Sequence, residues 1–188
     1  MLDNPGFVEE MATFWTDFVS RTMAPLLERV VLDRVGISED MAYKAHSMIS
    51  PEMTRRFLLP AYERWGEEVR ASGCPIFFMD SDGQIEELIP IWVEAGINCS
   101  GPIEVAAGND VVAYRKRFGK KMAYTGMIDK RAIAKGGKVM EQEVMRVVPP
   151  LLEDGGCIPG CDHGVPPDIS WPNFIEYTRL LAQLTGWL

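Results

Sequence analysis

The chain has 188 residues, of which 47% are hydrophobic and 24% are charged, and its formal net charge is −8. This length is enough for one domain with a real core, and the acidic balance argues against nucleic acid or an anionic membrane as the main partner. The N-terminus lacks the basic region of a signal peptide, and no apolar run is long enough to cross a bilayer. We therefore expect a single cytoplasmic domain over residues 1–188.

The first predicted element is a helix that begins at Asn4 and Pro5. Asn is a favoured N-cap, and Pro is tolerated at the first helical position. An apolar stripe at helical spacing follows, and we predict that it packs into the core. The stripe consists of Phe7, Met11, Phe14, Trp15, Phe18, Val19 and Met23.

Predicted strands and helices then alternate along the rest of the chain. The predicted strands cover residues 30–37, 75–79, 97–100 and 121–125, with a fifth, short strand after Gly155 and Gly156. The predicted helices cover residues 51–72, 84–95, 110–118 and 130–153, with a break at Gly136 and Gly137, and a last helix follows Ser170. The predicted caps are Ser50 for the first of these helices, Asn109 with Asp110 for the third, and Ser170 for the last. Pro90 lies inside the second of these helices and is a candidate kink. Five strand–helix units in strict alternation predict an α/β fold with a parallel sheet and outer helices.

Polar residues follow each predicted strand at the point where the strand ends. They are Glu39 and Asp40, then Asp80 and Asp82, Glu104, Asp129, and finally His163 and Asp168. This distribution is typical of a site at the carboxyl ends of parallel strands, in a (β/α)8 barrel or in an open doubly wound sheet. No glycine-rich phosphate-binding motif follows any of the strands, so nucleotide binding has no support.

Residues 155–168 combine a thiol, a carboxylate and an imidazole in a loop rich in Gly and Pro. Cys161, Asp162 and His163 are consecutive there. Reactive side chains on loops held by a rigid scaffold are the usual form of a site, and the alternative is a surface turn that contains one of the two histidines. The four cysteines lack zinc-finger spacing, which favours reduced thiols near the core for the first three.

Four segments of the chain resemble the uroporphyrinogen decarboxylase superfamily, which also contains the cobalamin-dependent methyltransferases. They are residues 37–42 with 49–52, 78–83, 125–129 and 161–168, in the order of the family. The resemblance implies a partial TIM barrel, because a complete (β/α)8 barrel usually needs roughly 250 residues. It implies about five of the eight βα units, counted as strands four to eight. Nothing here matches the early strands, which in the decarboxylases carry an Arg-rich segment and an Asp.

The two branches of the superfamily imply different roles for the same residues. In the decarboxylase branch, His163 corresponds to a pocket residue near substrate carboxylates. In the methyltransferase branch, a His-x-Cys pair and a later Cys bind zinc. In this chain Asp80 and Asp82 occupy the positions of the pair, and Cys161 occupies the position of the later Cys. His163 could complete a set of four ligands. The implied metal is zinc or another divalent ion that activates a thiol or similar nucleophile.

Each of these residues also has a structural interpretation. Asp80 and Asp82 could cap the next helix, Cys161 could be a small buried hydrophobe, and His163 could bond only to backbone. The predicted substrate-binding residues could equally be helix caps or ion-pair partners; these are Glu39, Asp40, Glu104 and Asp129. His46 is expected at the surface. A basic run could clamp an anionic substrate but is expected instead to be a solvated helix end. It consists of Arg115, Lys116, Arg117, Lys120 and Lys121.

The leading functional prediction is methyl transfer from a corrinoid or other methyl donor to a nucleophile at a metal-assisted site. Asp80 and His163 are its predicted catalytic residues, and the corrinoid would be carried by a partner protein. The alternatives are decarboxylation of a tetrapyrrole and a non-catalytic partial barrel that associates with another chain or a second copy. A corrinoid-binding or tetrapyrrole-binding protein ranks last, because the Asp-x-His-x-x-Gly pattern of corrinoid-binding domains is missing.

Overall fold

A computed structural model describes residues 1–188 of the chain. Five strands alternate with helices along the sequence. The first half contains α1 (Pro5–Leu27), β1 (Arg34–Ser38), α2 (Pro51–Phe57), α3 (Leu59–Ala71), β2 (Ile76–Asp80), α4 (Ile89–Glu94) and β3 (Cys99–Gly101). The second half contains α5 (Val111–Phe118), β4 (Ala123–Thr125), α6 (Lys130–Lys135), α7 (Gly137–Leu152), β5 (Cys157–Ile158) and α8 (Trp171–Thr185). None of these helices combines the length and apolar composition needed to cross a bilayer.

The five strands form one sheet in the order β1-β2-β3-β4-β5, and every neighbouring pair is parallel. Ser38 pairs with Asp80, and Asp80 pairs with Gly101, so the carboxyl ends of the first three strands lie side by side. The sheet is open, with β1 and β5 at its edges. This arrangement confirms the predicted α/β class and corresponds to part of a TIM barrel, with five of the eight βα units.

The helix N-termini follow local chemistry that the sequence predicted. The side chain of Asn4 accepts a hydrogen bond from the N–H of Phe7 at 3.1 Å, and Ser50 accepts one from Met53 at 3.1 Å. Ser170 caps α8 in the same way, and Asp110 caps α5. Each such cap stabilises its helix by about 1 kcal/mol.

The two faces of the sheet differ in their surroundings. Phe77, Met79 and Tyr124 point to the helices and are almost completely buried in a core of 31 side chains. Because side chains alternate along a strand, Phe78 and Ile158 lie on the opposite face. Ile158 is 69% exposed, and the Arg34 guanidinium lies 4.6 Å from the centre of the Phe78 ring. Parallel sheets normally have both faces covered, so this face is open where a complete barrel would be closed.

The prediction that the apolar stripe of α1 packs into the core is wrong for most of its length. Phe14 is 70% exposed, and the side chains of Phe7, Met11, Trp15 and Phe18 are each at least half exposed. Only the end of the stripe, at Val19 and Met23, packs against the core. The physical reason is that α1 contacts α3 through its other side.

Two further predictions differ from the structure near turns. The helix predicted from residue 84 begins only at Ile89, so Pro90 lies in the first turn of α4, where a missing N–H costs little, and does not kink the helix. The strand predicted from residue 30 begins only at Arg34, and Val30 and Val31 are exposed.

The prediction of a solvated basic run is wrong for its first member. Arg115 is buried and donates hydrogen bonds to the carbonyl oxygens of Gly119, Gly155 and Gly156 at 2.9–3.0 Å. A guanidinium carries five donors, so it can join the end of α5 to the turn before β5. The other four members, Lys116, Arg117, Lys120 and Lys121, are exposed as expected, and so is His46.

Candidate active site at the carboxyl ends of the strands

The loops after β1 and β2 are joined by hydrogen bonds to carboxylates. The Ser38 hydroxyl donates to Oδ2 of Asp80 at 2.9 Å, and the N–H of Asp82 donates to Oδ1 of Asp40 at 3.1 Å. The N–H of Glu39 also donates to the backbone oxygen of Asp80 at 2.8 Å. Neither aspartate of the second loop caps a helix, so the alternative of simple capping does not describe Asp80 or Asp82.

An imidazole–carboxylate pair joins the loop after β5 to the loop after β2. Nε2 of His163 lies 3.0 Å from Oδ1 of Asp82, and both side chains are partly exposed. Nδ1 of His163 is buried and has no hydrogen-bond partner. A carboxylate beside an imidazole orients the ring and stabilises the positive charge that develops when the ring accepts a proton. The structure thus brings together two of the predicted site residues across the sheet.

Glu39 has a different environment, in which a buried tyrosine holds it. The Tyr62 hydroxyl donates to Oε1 of Glu39 at 2.7 Å, and Tyr62 is almost fully buried. Burial raises the pKa of Glu39, and the charge of Asp40 raises it further, while the hydrogen bond from Tyr62 opposes both effects. Glu39 therefore keeps its proton to a higher pH than a free glutamate, as a proton donor needs.

A buried asparagine that the sequence analysis assigned only to a helix start joins the loops after β2 and β3. Oδ1 of Asn109 accepts from the N–H of Ile85 at 3.2 Å and from the Tyr114 hydroxyl at 2.7 Å. Its Nδ2 donates to the backbone oxygens of Gly83 and Glu104, each at 2.8 Å. Oε2 of Glu104 accepts from the N–H of Gly83 at 3.0 Å. The four hydrogen bonds of this amide thus hold the two loops together and fix both to α5 through Tyr114.

Asp162 has an equivalent role on the other side of the site, and the sequence analysis did not assign it one. Its side chain is completely buried, and it accepts from the N–H groups of Val105 at 3.0 Å and Lys130 at 3.1 Å. Burial raises the pKa of Asp162, although the two N–H donors lower it in part. The loops after β3, β4 and β5 thus meet at one carboxylate. The only signal in the sequence was its position between Cys161 and His163.

The remaining predicted residues lie at the margin of the site. Asp129 caps α6 and forms a two-contact ion pair with the Arg131 guanidinium at 2.8 Å. Burial alone would raise the pKa of Asp129, but its hydrogen bonds and charge interactions with Arg131 outweigh burial and lower it. Cys161 is half-buried, and burial raises the pKa of its thiol, which is therefore protonated at neutral pH. Asp168 is exposed.

The four residues predicted as zinc ligands do not form one ligand set in the structure. No group of three or more His, Cys, Asp and Glu side chains is arranged to hold a metal ion. Of the four, only Asp82 and His163 are in contact. The metal prediction at Asp80, Asp82, Cys161 and His163 therefore stays a prediction.

An all-parallel βα sheet with polar side chains at the carboxyl ends of its strands is the arrangement found in βα-barrel enzymes. The family model described as Uroporphyrinogen decarboxylase (URO-D) matches residues 1–181. The chain belongs to this family, which confirms the resemblance found in the four sequence segments.

The fold is also similar to a solved structure, a methyltransferase from Methanosarcina mazei. The TM-score is 0.53 and the sequence identity is 14%. The match covers 82% of this chain and 42% of the methyltransferase, so it spans less than half of that protein. At this identity the likeness concerns the fold. No curated protein matches the chain.

Proposed function

We propose that this site carries out methyl transfer to a neutral or cationic nucleophile, such as a thiol. The observation that carries the proposal is the charge of the loops after β1, β2 and β3. Five carboxylates from these loops form what we call the carboxylate rim, and it consists of Glu39, Asp40, Asp80, Asp82 and Glu104. The basic side chain that pairs with the rim is His163. Such a surface favours a neutral or cationic ligand over an anionic one.

The proposed step uses the Asp82–His163 pair as a general base. As the bond between the nucleophile and the methyl group forms, the methyl donor leaves with the pair of electrons that held the methyl group. The proton of the nucleophile moves to Nδ1 of His163, the ring nitrogen that does not face Asp82, after a local movement of the loop that exposes this atom. Asp82, at Nε2, stabilises the resulting imidazolium. A corrinoid on a partner protein would supply the methyl group. Asn109 and Asp162 keep the loops, and with them the pair, in place.

Tetrapyrrole decarboxylation is the second candidate, and Glu39 is the observation that favours it. When the bond to the departing carbon dioxide breaks, its electron pair stays on carbon and must take up a proton. Glu39, with its raised pKa, is placed to supply one. The other four carboxylates of the rim argue against this reaction, because their negative charge would repel a substrate with several carboxylates. A partial barrel without its own catalysis remains the alternative of another class.

The proposal is tested with free methylcobalamin as donor and 2-mercaptoethanol as acceptor, with and without added zinc. We expect demethylation, followed by absorbance, above the rate of the buffer. His163→Gln should lower this rate by roughly 10²-fold, in the usual range for a general base. His46→Gln, at the exposed second histidine, is the matched control and should leave the rate unchanged. Absence of demethylation in the unaltered protein would contradict methyl transfer, and carbon dioxide release from uroporphyrinogen would favour the second candidate.

A further inference from the structure

Helix α1 turns its apolar side away from the protein and its small, polar side inward. Thr16 and Ser20 are its buried residues, and the Trp65 indole N–H of α3 donates to the backbone oxygen of Thr16 at 3.3 Å. The outward side carries five large apolar side chains, which we call the α1 seam: Phe7, Met11, Phe14, Trp15 and Phe18. Contiguous exposed apolar surface on this scale is typical of an interaction site.

The spacing of the α1 seam indicates that its partner is a helix. Phe7, Met11, Phe14 and Phe18 are separated by four, three and four residues, which is the heptad spacing of helices that pack side by side. Three acidic residues flank the seam: Glu9 and Asp17 pair with Arg56 and Arg64 of the same copy, and Glu10 forms no ion pair. An anionic lipid surface binds amphipathic helices with basic flanks, so this flank does not favour one.

We propose that the α1 seam is covered by α1 of a second copy of this chain, running antiparallel. If Met11 of one copy lies opposite Phe14 of the other, Phe7 lies opposite Phe18, and all four rows of the seam are filled. This register places the exposed Arg21 opposite Asn4 of the second copy and next to Asp3, the acidic residue before it, so that opposite charges meet. A parallel pair would instead bring the two Arg21 side chains together. Charge complementarity therefore selects the antiparallel dimer.

The exposed area is sufficient for such a dimer. Aromatic side chains bury roughly 150–250 Å² each, and the four of the α1 seam are 50–70% exposed, which together with Met11 amounts to about 500–600 Å² per copy. Two copies would then bury about 1,000–1,200 Å², close to the lower limit for a specific interface. We therefore expect a reversible dimer whose population depends on concentration. This interface lies on α1 and does not require the proposed methyl transfer.

The test is sedimentation velocity of the purified chain from about 1 to about 200 μM, a range that spans typical reversible dimers. The mass should rise from one copy toward two. Phe14→Glu should remain a monomer at every concentration, and it should keep its helical circular dichroism because Phe14 is exposed. Trp187→Glu is the matched control, since Trp187 is an 85% exposed aromatic outside the seam, and it should dimerise normally.

A charge exchange tests the antiparallel orientation separately. Arg21→Asp places an acid beside Asp3 of the second copy and should weaken the dimer several-fold. The double variant Asp3→Arg with Arg21→Asp should restore it, whereas in a parallel pair it would not. A monomeric wild-type chain, or a dimer that survives Phe14→Glu, would overturn the proposal. Flotation of a monomeric wild-type chain with phosphatidylglycerol vesicles would overturn it in favour of a membrane surface.

Discussion

The carboxyl ends of the strands and the α1 seam differ in which side chains they bury and which they expose. At the carboxyl ends, polar residues such as Asn109 and Asp162 are buried, with their hydrogen bonds satisfied within the protein. On α1, large apolar residues face solvent. Burial thus follows from what the fold places opposite a residue, and the residue type alone does not decide it. The difference also implies that the first region is rigid through internal bonds, whereas the second is completed from outside.

The largest expected loss of stability follows from replacing Asn109, at the carboxyl ends of the strands. Asn109→Ala removes four hydrogen bonds and leaves buried groups of Ile85, Gly83 and Tyr114 without their partner. Each unsatisfied buried group costs about 1–3 kcal/mol, so we expect a loss of about 3 kcal/mol in the free energy of unfolding. Urea denaturation measures it. Asp110→Ala removes an exposed cap next in sequence and an exposed ion pair with Arg146, and it should cost about 1 kcal/mol. Equal losses would contradict the special role of Asn109.

Asp162 should show the next largest effect. Asp162→Asn keeps one acceptor oxygen, so one of the N–H groups of Val105 and Lys130 loses its partner, and we expect a loss of about 2 kcal/mol. Hydrogen exchange at these two amides would show local opening before global unfolding. Asp168→Asn, at an exposed position in the same loop, is the control and should change neither quantity. Unchanged exchange at both amides in Asp162→Asn would exclude the proposed junction.

Glu39, at the carboxyl ends of the strands, should make the stability of the protein depend on pH, which no side chain of the α1 seam can do because none of them titrates. Its pKa is raised in the folded protein from the ordinary value of 4.5, so the folded state binds the proton more tightly than the unfolded state. The contribution of Glu39 to stability is therefore present below about pH 4.5 and is lost as the pH rises through the folded pKa. Glu39→Gln should remove this decline, and denaturation at pH 4 and pH 7 should show a smaller difference than in the unaltered chain. A decline of equal size in both proteins would show that Glu39 is not its source.

The smallest expected effect is at the α1 seam. Phe14→Ala should change the free energy of unfolding by less than about 0.5 kcal/mol when measured at ~1 μM, because an exposed side chain has little burial to lose. Phe77→Ala is the matched control in the core and should cost about 3–5 kcal/mol. A large loss in Phe14→Ala under these conditions would mean that the seam is already covered within one copy.

Much of the fold was predictable because the signals are local. The caps at Asn4, Ser50 and Ser170, the break at Gly136 and the short apolar runs of the strands act within a few residues. The strict alternation of strands and helices limited the topology to a parallel sheet. The polar residues after the strands predicted a site at the carboxyl ends of the sheet.

The partners of individual side chains were not predictable in the same way. Arg115 was expected in solvent with its basic neighbours, yet it binds carbonyl groups 40 and 41 residues away. His163 and Asp82 meet across the sheet, while Asp80 bonds to Ser38 of a neighbouring strand. These contacts depend on the register between strands, which no short stretch of sequence contains.

The amino-acid sequence was thus sufficient for the family, the βα order and the placement of polar residues at the carboxyl ends of the strands, since periodicity, capping and short motifs are properties of neighbouring residues. The tertiary structure decided which face of α1 is buried and which loop each carboxylate accepts hydrogen bonds from. It also decided that the predicted metal ligands do not lie together as one group. The physical reason is that these features depend on distances between segments far apart in the chain, which only packing of the sheet and helices can set.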